Sequence, residues 1–118
     1  MDELIKRILF LPKEFHNKRD VSIYSLLKES GYFEFYEYIN ETNIYNALTA
    51  NQQCIDDWIS WSEDKRSNSG WYLINTGNET FIVGHMASDS QFKTTEYLDR
   101  IEACAAFIKH EIEEIRKI

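Results

Sequence analysis

Residues 58–72 have the sequence WISWSEDKRSNSGWY, in which a helical pattern changes into a strand pattern. The residues before it repeat apolar side chains at the 3.6-residue spacing of an amphipathic helix. Two strands are predicted at its end and beyond, over Trp71–Asn75 and Thr80–Met86, and the intervening TGNE carries a strong turn signal. The junction therefore predicts helices followed by a small antiparallel hairpin.

Three helices are predicted before the strands. The apolar face of Met1–Leu11 favours a short helix over a strand. Asp20 is placed to cap a second helix over Val21–Ser30, which would end at Gly31. Residues 13–20 are polar and predict a loop between these two helices.

The third helix is predicted to be the longest of these three. Asn40 or Thr42 is expected to cap it, and it should continue to about Ser62. Its apolar stripe is formed by Ile44, Leu48, Ile55 and Ile59. The aromatic run Tyr32–Ile39 before it fits neither the helical nor the strand period, so its structure stays open.

The C-terminal part predicts a long helix. Phe92–Leu98 is compatible with a third strand, and Asp99 with Glu102 forms a capping-box pattern for a helix to about Lys117. The acids expected largely on the solvent side of this helix are Glu111, Glu113 and Glu114. The predicted fold class is α+β, with helices packed on a small antiparallel sheet of two or three strands and a long C-terminal helix, in one domain over residues 1–118.

The charge of the chain limits its partners. Its 118 residues carry a formal net charge of −7. Nucleic acids and anionic membranes attract basic proteins, so both are disfavoured, whereas a basic protein partner is favoured. Acidity also simply keeps a protein soluble. The acidic start MDE and the short apolar run Ile8–Leu11 fit neither a signal peptide nor a membrane span, so a cytoplasmic location is expected.

Patterns of catalytic or metal-binding residues are weak in this sequence. No histidine has a second His or Cys at a zinc-binding spacing, and no glycine-rich phosphate loop is present. His85 with Ser88 and Asp89 is the one conceivable catalytic cluster. Cys54 and Cys104 lie in apolar helical patterns and are expected to be reduced and buried. The sequence therefore predicts a protein that is not an enzyme and has no cofactor and no metal.

A binding surface is the favoured interpretation of the junction, because aromatic and charged side chains together are typical of protein interfaces. Trp58 falls on the apolar stripe, whereas Trp61 falls beside acids. Trp61 is predicted to be the exposed centre of the surface, and the alternative is that it packs beneath the loop Lys65–Ser69. Neighbouring residues on a strand point to opposite faces, so one of Trp71 and Tyr72 should face the core. The predicted partner-binding residues are Asp56, Asp57, Trp61, Glu63, Asp64, Arg66, Trp71 and Tyr72.

Three segments carry a resemblance to a known class of proteins. They are IDDWISWSEDKRSNSGWYL from Ile55, FIVGH from Phe81 and DRIEACAAFIKHE from Asp99. The chain from Val21 onwards resembles small bacterial immunity proteins that are encoded beside polymorphic or contact-dependent growth-inhibition toxins. The resemblance implies a cytosolic protein that binds one cognate toxin domain tightly and blocks it. Many such toxins are basic nucleases, which an acidic inhibitor would suit.

Other functions remain open from the sequence. The same surface would suit a phage or mobile-element inhibitor of a host defence nuclease. It would also suit a scaffold protein in which the aromatic patch is a homodimer interface. A small enzyme that uses His85 and Asp89 is the alternative from a different functional class.

Overall fold

The computed structural model describes residues 2–18, 20–64, 70–86 and 94–118. In these residues the α-helices are α1 (Asp2–Leu9), α2 (Leu11–Asn17), α3 (Ile23–Glu29), α4 (Tyr32–Phe35), α5 (Glu41–Ala50), α6 (Gln53–Glu63) and α7 (Arg100–Arg116), with a 3-10 turn at Tyr36–Tyr38. The strands are β1 (Trp71–Asn75), β2 (Phe81–His85) and β3 (Thr94–Tyr97). The predicted α+β class is confirmed.

The long helix α7 lies at the centre of the structure. It packs against α3, α5 and α6 and against all three strands. Small side chains over Ala103–Ala106 let its neighbours approach closely, and Phe107 is fully buried beyond them. Asp99 caps the helix as predicted, since its carboxylate accepts a hydrogen bond from the backbone N–H of Ile101 at 2.9 Å.

The sheet is antiparallel in the order β1-β2-β3. Leu73 pairs with Val83, and both side chains are buried under α7. Tyr72 and Ile74 point to the opposite face because side-chain direction alternates along a strand. The predicted hairpin is confirmed, and the third strand lies inside the predicted Phe92–Leu98.

Helix α2 corrects the loop predicted over residues 13–20. Pro12 lies in the first turn, where a helix tolerates proline, and Glu14 and Lys18 form an i,i+4 ion pair at 3.0 Å. Phe15 packs its ring edge-on against Trp61, with the ring centroids 5.3 Å apart. This contact with α6 stabilises α2. The contact cannot be predicted from the polar composition of residues 13–20.

The single long helix predicted from Asn40 to Ser62 is two helices. Asn40 caps α5, as predicted, and forms a reciprocal capping box with Asn43. The helix ends at Asn51, whose side-chain amide donates to the carbonyl of Ala47 at 2.9 Å. A side chain that bonds the preceding turn competes with the helical ladder, so the chain changes direction there.

Two further predictions concern the helix α3 and its end. Ser22, not Asp20, caps α3, because its hydroxyl accepts the N–H of Ser25. Gly31 ends the helix as predicted, with a φ of +94°. The undecided aromatic run forms α4 and the 3-10 turn.

No helix among the described residues is both long enough and apolar enough to cross a membrane.

Candidate functional site

The acidic residues of α6 lie together on its outward side. Asp56, Glu63 and Asp64 are exposed, and Asp57 is half-buried. Within the described part of the chain, Asp56, Asp57 and Glu63 form no ion pair with a basic residue. The side of α6 opposite the core is therefore a negatively charged surface, which we call the α6 acidic face and define by these four residues.

Trp61 does not lie on this face, and the prediction that it is exposed is wrong. Its side chain is 2% exposed, and its indole N–H donates to Oε2 of Glu111 at 2.8 Å. Phe15 of α2 covers one edge of the ring, and Trp58 packs against it at 6.2 Å. Through this contact α2 covers the side of α6 that carries Trp61. The predicted aromatic centre of the surface is thus part of the core.

Glu111 is a second correction, because a solvent position was expected for it. It is completely buried on the side of α7 that faces Trp61. Its Oε2 accepts the indole N–H, while its Oε1 has no hydrogen-bond partner among the residues that the structure describes. A buried indole requires an acceptor, and the carboxylate supplies one across 50 residues of sequence. Glu113 and Glu114 are half-buried at the margin of the same helix.

The other predicted surface residues are not collected on α6. Trp71 is half-buried on the inner face of β1, where it stacks on His110. Tyr72 is on the outer face, where its hydroxyl lies over Gly84 and leaves no space for a Cβ atom. One ring therefore faces the core and the other does not, as expected. Arg66 lies outside the described residues.

A groove separates α2 from α6 beside the acidic face. It encloses about 270 Å³, and most of its exposed lining is apolar. The lining residues are Pro12, Lys13 and His16 from α2, and Asp57, Ser60, Trp61 and Asp64 from α6. Sequence analysis missed this groove because one of its walls was predicted to be a loop.

A second hollow lies between the sheet and the end of α7, with a volume of about 410 Å³. The rings of Trp71 and His110 stack within it at 3.8 Å, and His85 contacts Trp71 edge-on at 4.9 Å. His85 Nε2 is 3.2 Å from Oε1 of Glu114. Burial lowers the pKa of His110, which favours its neutral ring.

A carboxylate of α7 contacts His85 in this second hollow. Ser88 and Asp89 lie outside the described residues, and Glu114 is the carboxylate that contacts the ring. Across the described ranges, no group of three or more potential ligands is arranged to hold a metal ion. Both cysteines are buried free thiols, and burial raises the pKa of Cys104 far above its ordinary value. The raised pKa favours the protonated thiol of Cys104, which is a much weaker nucleophile than the thiolate.

Comparisons with protein-family models, with curated proteins and with solved structures found no match for this chain.

Proposed function

We propose that this protein is an immunity protein that binds a basic bacterial toxin domain, most simply a nuclease, and neutralises it. The observation that carries the proposal is the α6 acidic face, four carboxylates on the outward side of one helix. Lys and Arg side chains that a nuclease uses to bind phosphate are the natural partners of such carboxylates. Occupying them would block the active site or an adjacent exosite.

The anchoring of α6 supports this role. Trp58 donates its indole N–H to the carbonyl of Leu9 at 3.0 Å, and Trp61 donates to Glu111 at 2.8 Å. Both bonds lie on the inner side of the helix and join it to α1 and α7. Carboxylates on a rigid helix lose little conformational entropy on binding, which favours affinity.

The net charge supports the same interpretation at longer range. A formal charge of −7 attracts a basic domain and accelerates productive encounters, most strongly at low ionic strength. The acidic face then provides the contacts that slow dissociation. For inhibition of this kind, the inhibitor does not make or break any covalent bond.

Co-expression tests the proposal directly. The C-terminal domain encoded by the neighbouring open reading frame is expressed alone and with this protein, and growth of the host is measured. We expect the domain to be toxic alone and harmless when this protein is present. A domain that is not toxic, or whose toxicity is unchanged, would contradict the proposal.

A charge-matched pair of variants tests the role of the acidic face. The first variant is Asp56→Asn, Asp57→Asn, Glu63→Gln and Asp64→Asn. The control removes four charges elsewhere, at exposed Asp20, Glu34, Glu79 and Glu96. We expect the first to weaken toxin binding by about 100-fold or more and the control by less than about tenfold, since only the first removes direct contacts. Equal losses would show that the net charge alone matters.

A further inference from the structure

We propose that the groove between α2 and α6 receives an arginine side chain of the basic partner. This inference rests on the proposed function and assigns its central contact to a defined place. Because Trp61 is buried, we place the centre of recognition at the groove and not at an exposed Trp61 ring. It borders the α6 acidic face because Asp57 and Asp64 belong to both.

The shape of the groove suits a side chain rather than a larger ligand. Its volume of about 270 Å³ is just below the range of small-molecule pockets, which begins at about 300 Å³. Pro12 and Trp61 are buried residues that belong to the lining, and most of the exposed lining is apolar. These apolar surfaces match the aliphatic part of an arginine or lysine side chain.

The polar atoms of the groove favour a guanidinium group. Asp57 is half-buried in the wall, and the hydroxyl of Ser60 lies one helical turn further along α6. A planar guanidinium has five donors and can bond a carboxylate and a hydroxyl together, whereas an ammonium acts as a compact point charge. It is also less strongly hydrated, which lowers the cost of placing it beside proline and indole.

The charges on the opposite wall are compatible with this occupant. Lys13 is exposed, so its ammonium group can remain in solvent. His16 and Asp64 each have an interaction within the chain. The groove groups proposed to bond the guanidinium are therefore Asp57, which forms no ion pair within the described ranges, and Ser60.

Adjacent aspartates on α6 provide a matched control. Asp57 lines the groove, whereas Asp56 is exposed outside it. Asp56→Asn and Asp57→Asn make the same change of charge one residue apart. If the attraction is a general electrostatic one, both substitutions should weaken binding equally. If the contact lies within the groove, only Asp57→Asn should weaken it.

The test is a nuclear magnetic resonance titration of the isotope-labelled full chain. The probe is the peptide acetyl-Gly-Arg-Gly-amide, and its matched control carries citrulline, which has nearly the same shape without the charge. We expect saturable shifts at Asp57, Ser60 and Trp61, with a Kd on the order of 1–10 mM for a single small contact. The citrulline peptide should bind at least about fivefold more weakly.

The two variants decide the location of the site. Asp57→Asn should weaken binding of the arginine peptide about fivefold or more, and Asp56→Asn less than about twofold. Equal effects, shifts spread over other acidic regions, or no saturable shift would each overturn the inference. The spectra of both variants also report whether they are folded.

The same variants separate this inference from the proposed function. If the wild type neutralises the toxin domain and Asp57→Asn neutralises it equally well, the groove is not the contact site although the function stands. If the wild type does not neutralise the toxin domain, the function is wrong. The peptide titration then still reports whether the groove binds a guanidinium group.

Discussion

The pair formed by Trp61 and Glu111 shows how single residues depend on partners that are distant in sequence. The carboxylate is completely buried and has one hydrogen bond, which it accepts from the indole. A buried polar group that loses its partner retains the full cost of its desolvation. The two residues should therefore act as one unit in stability.

Trp61→Phe removes the donor and leaves both carboxylate oxygens of Glu111 without a bond. We expect it to lower the free energy of unfolding by about 2–4 kcal/mol. The double variant Trp61→Phe with Glu111→Leu should cost clearly less than the two single changes added together, because no unsatisfied buried polar group remains. Urea denaturation of the four proteins measures this coupling.

Trp58→Phe supplies the control for that cycle. Its indole N–H donates to the backbone carbonyl of Leu9, so its loss should not couple strongly to Glu111→Leu. Additive effects of Trp61→Phe and Glu111→Leu would contradict the interpretation of the pair as one unit.

His110 carries the second residue-scale prediction, which concerns pH. Burial lowers its pKa below the usual 6.5, and the other charges that act on it are Glu41, Glu114 and His85. The unfolded chain then binds a proton more readily than the folded one. The stabilising contribution of the neutral ring to the free energy of unfolding is therefore complete above about pH 6.5. It is lost as the pH falls through the lower pKa of the folded state.

His110→Phe should reduce this acid sensitivity, because phenylalanine can keep the stack on Trp71 without titrating. Between about pH 7.5 and about pH 5, the loss of unfolding free energy should be smaller in the variant, by at most about 1 kcal/mol for a ring that is only half-buried. Denaturant unfolding across this range measures it. Parallel profiles for both proteins would contradict the prediction.

At the scale of elements, local chemistry decides where several of the described helices begin or end. Asn40 and Asp99 cap their helices, and Gly31 ends α3 in a conformation that few other residues adopt. Gly77 has a similar φ of +85° in the turn between β1 and β2. The two glycines differ in their surroundings and therefore make a controlled comparison.

Gly31→Ala should destabilise the protein more than Gly77→Ala. Both changes place a Cβ at positive φ, which costs about 1 kcal/mol. At Gly31 the new atom would lie 3.2 Å from Cδ1 of Leu4, whereas at Gly77 no described atom beyond the adjacent residues lies within 4 Å. We expect losses of about 2 kcal/mol and about 1 kcal/mol in thermal or urea unfolding. Equal losses would show that the contact with α1 relaxes without cost.

At the scale of the whole molecule, the core and the acidic surface are two sides of the same arrangement. The core extends from Ile5 in α1 to Ile115 in α7 and includes Trp58 and Trp61. With these rings inside, α6 presents its carboxylates and the rim of one groove to solvent. The proposed recognition therefore depends on charge and on a concave surface, and less on exposed aromatic rings than the sequence suggests.

The amino-acid sequence by itself determined the features that depend on neighbouring residues. Hydrophobic periodicity predicted α+β architecture, the hairpin and the long terminal helix, and capping chemistry located Asn40, Asp99 and Gly31. These features are predictable because a turn, a cap or an apolar stripe acts over a few residues. The acidic character of α6 also follows from the sequence alone.

Only the tertiary structure decided that Trp61 of α6 and Glu111 of α7 are buried. Phe15 and Glu111 are far from Trp61 along the chain, yet together they enclose it. Helix α2 exists in a polar segment because of that packing, and it creates the second wall of the groove. A contact between distant segments leaves no periodic signal in either one, so neither the buried indole nor the groove can be inferred from local pattern.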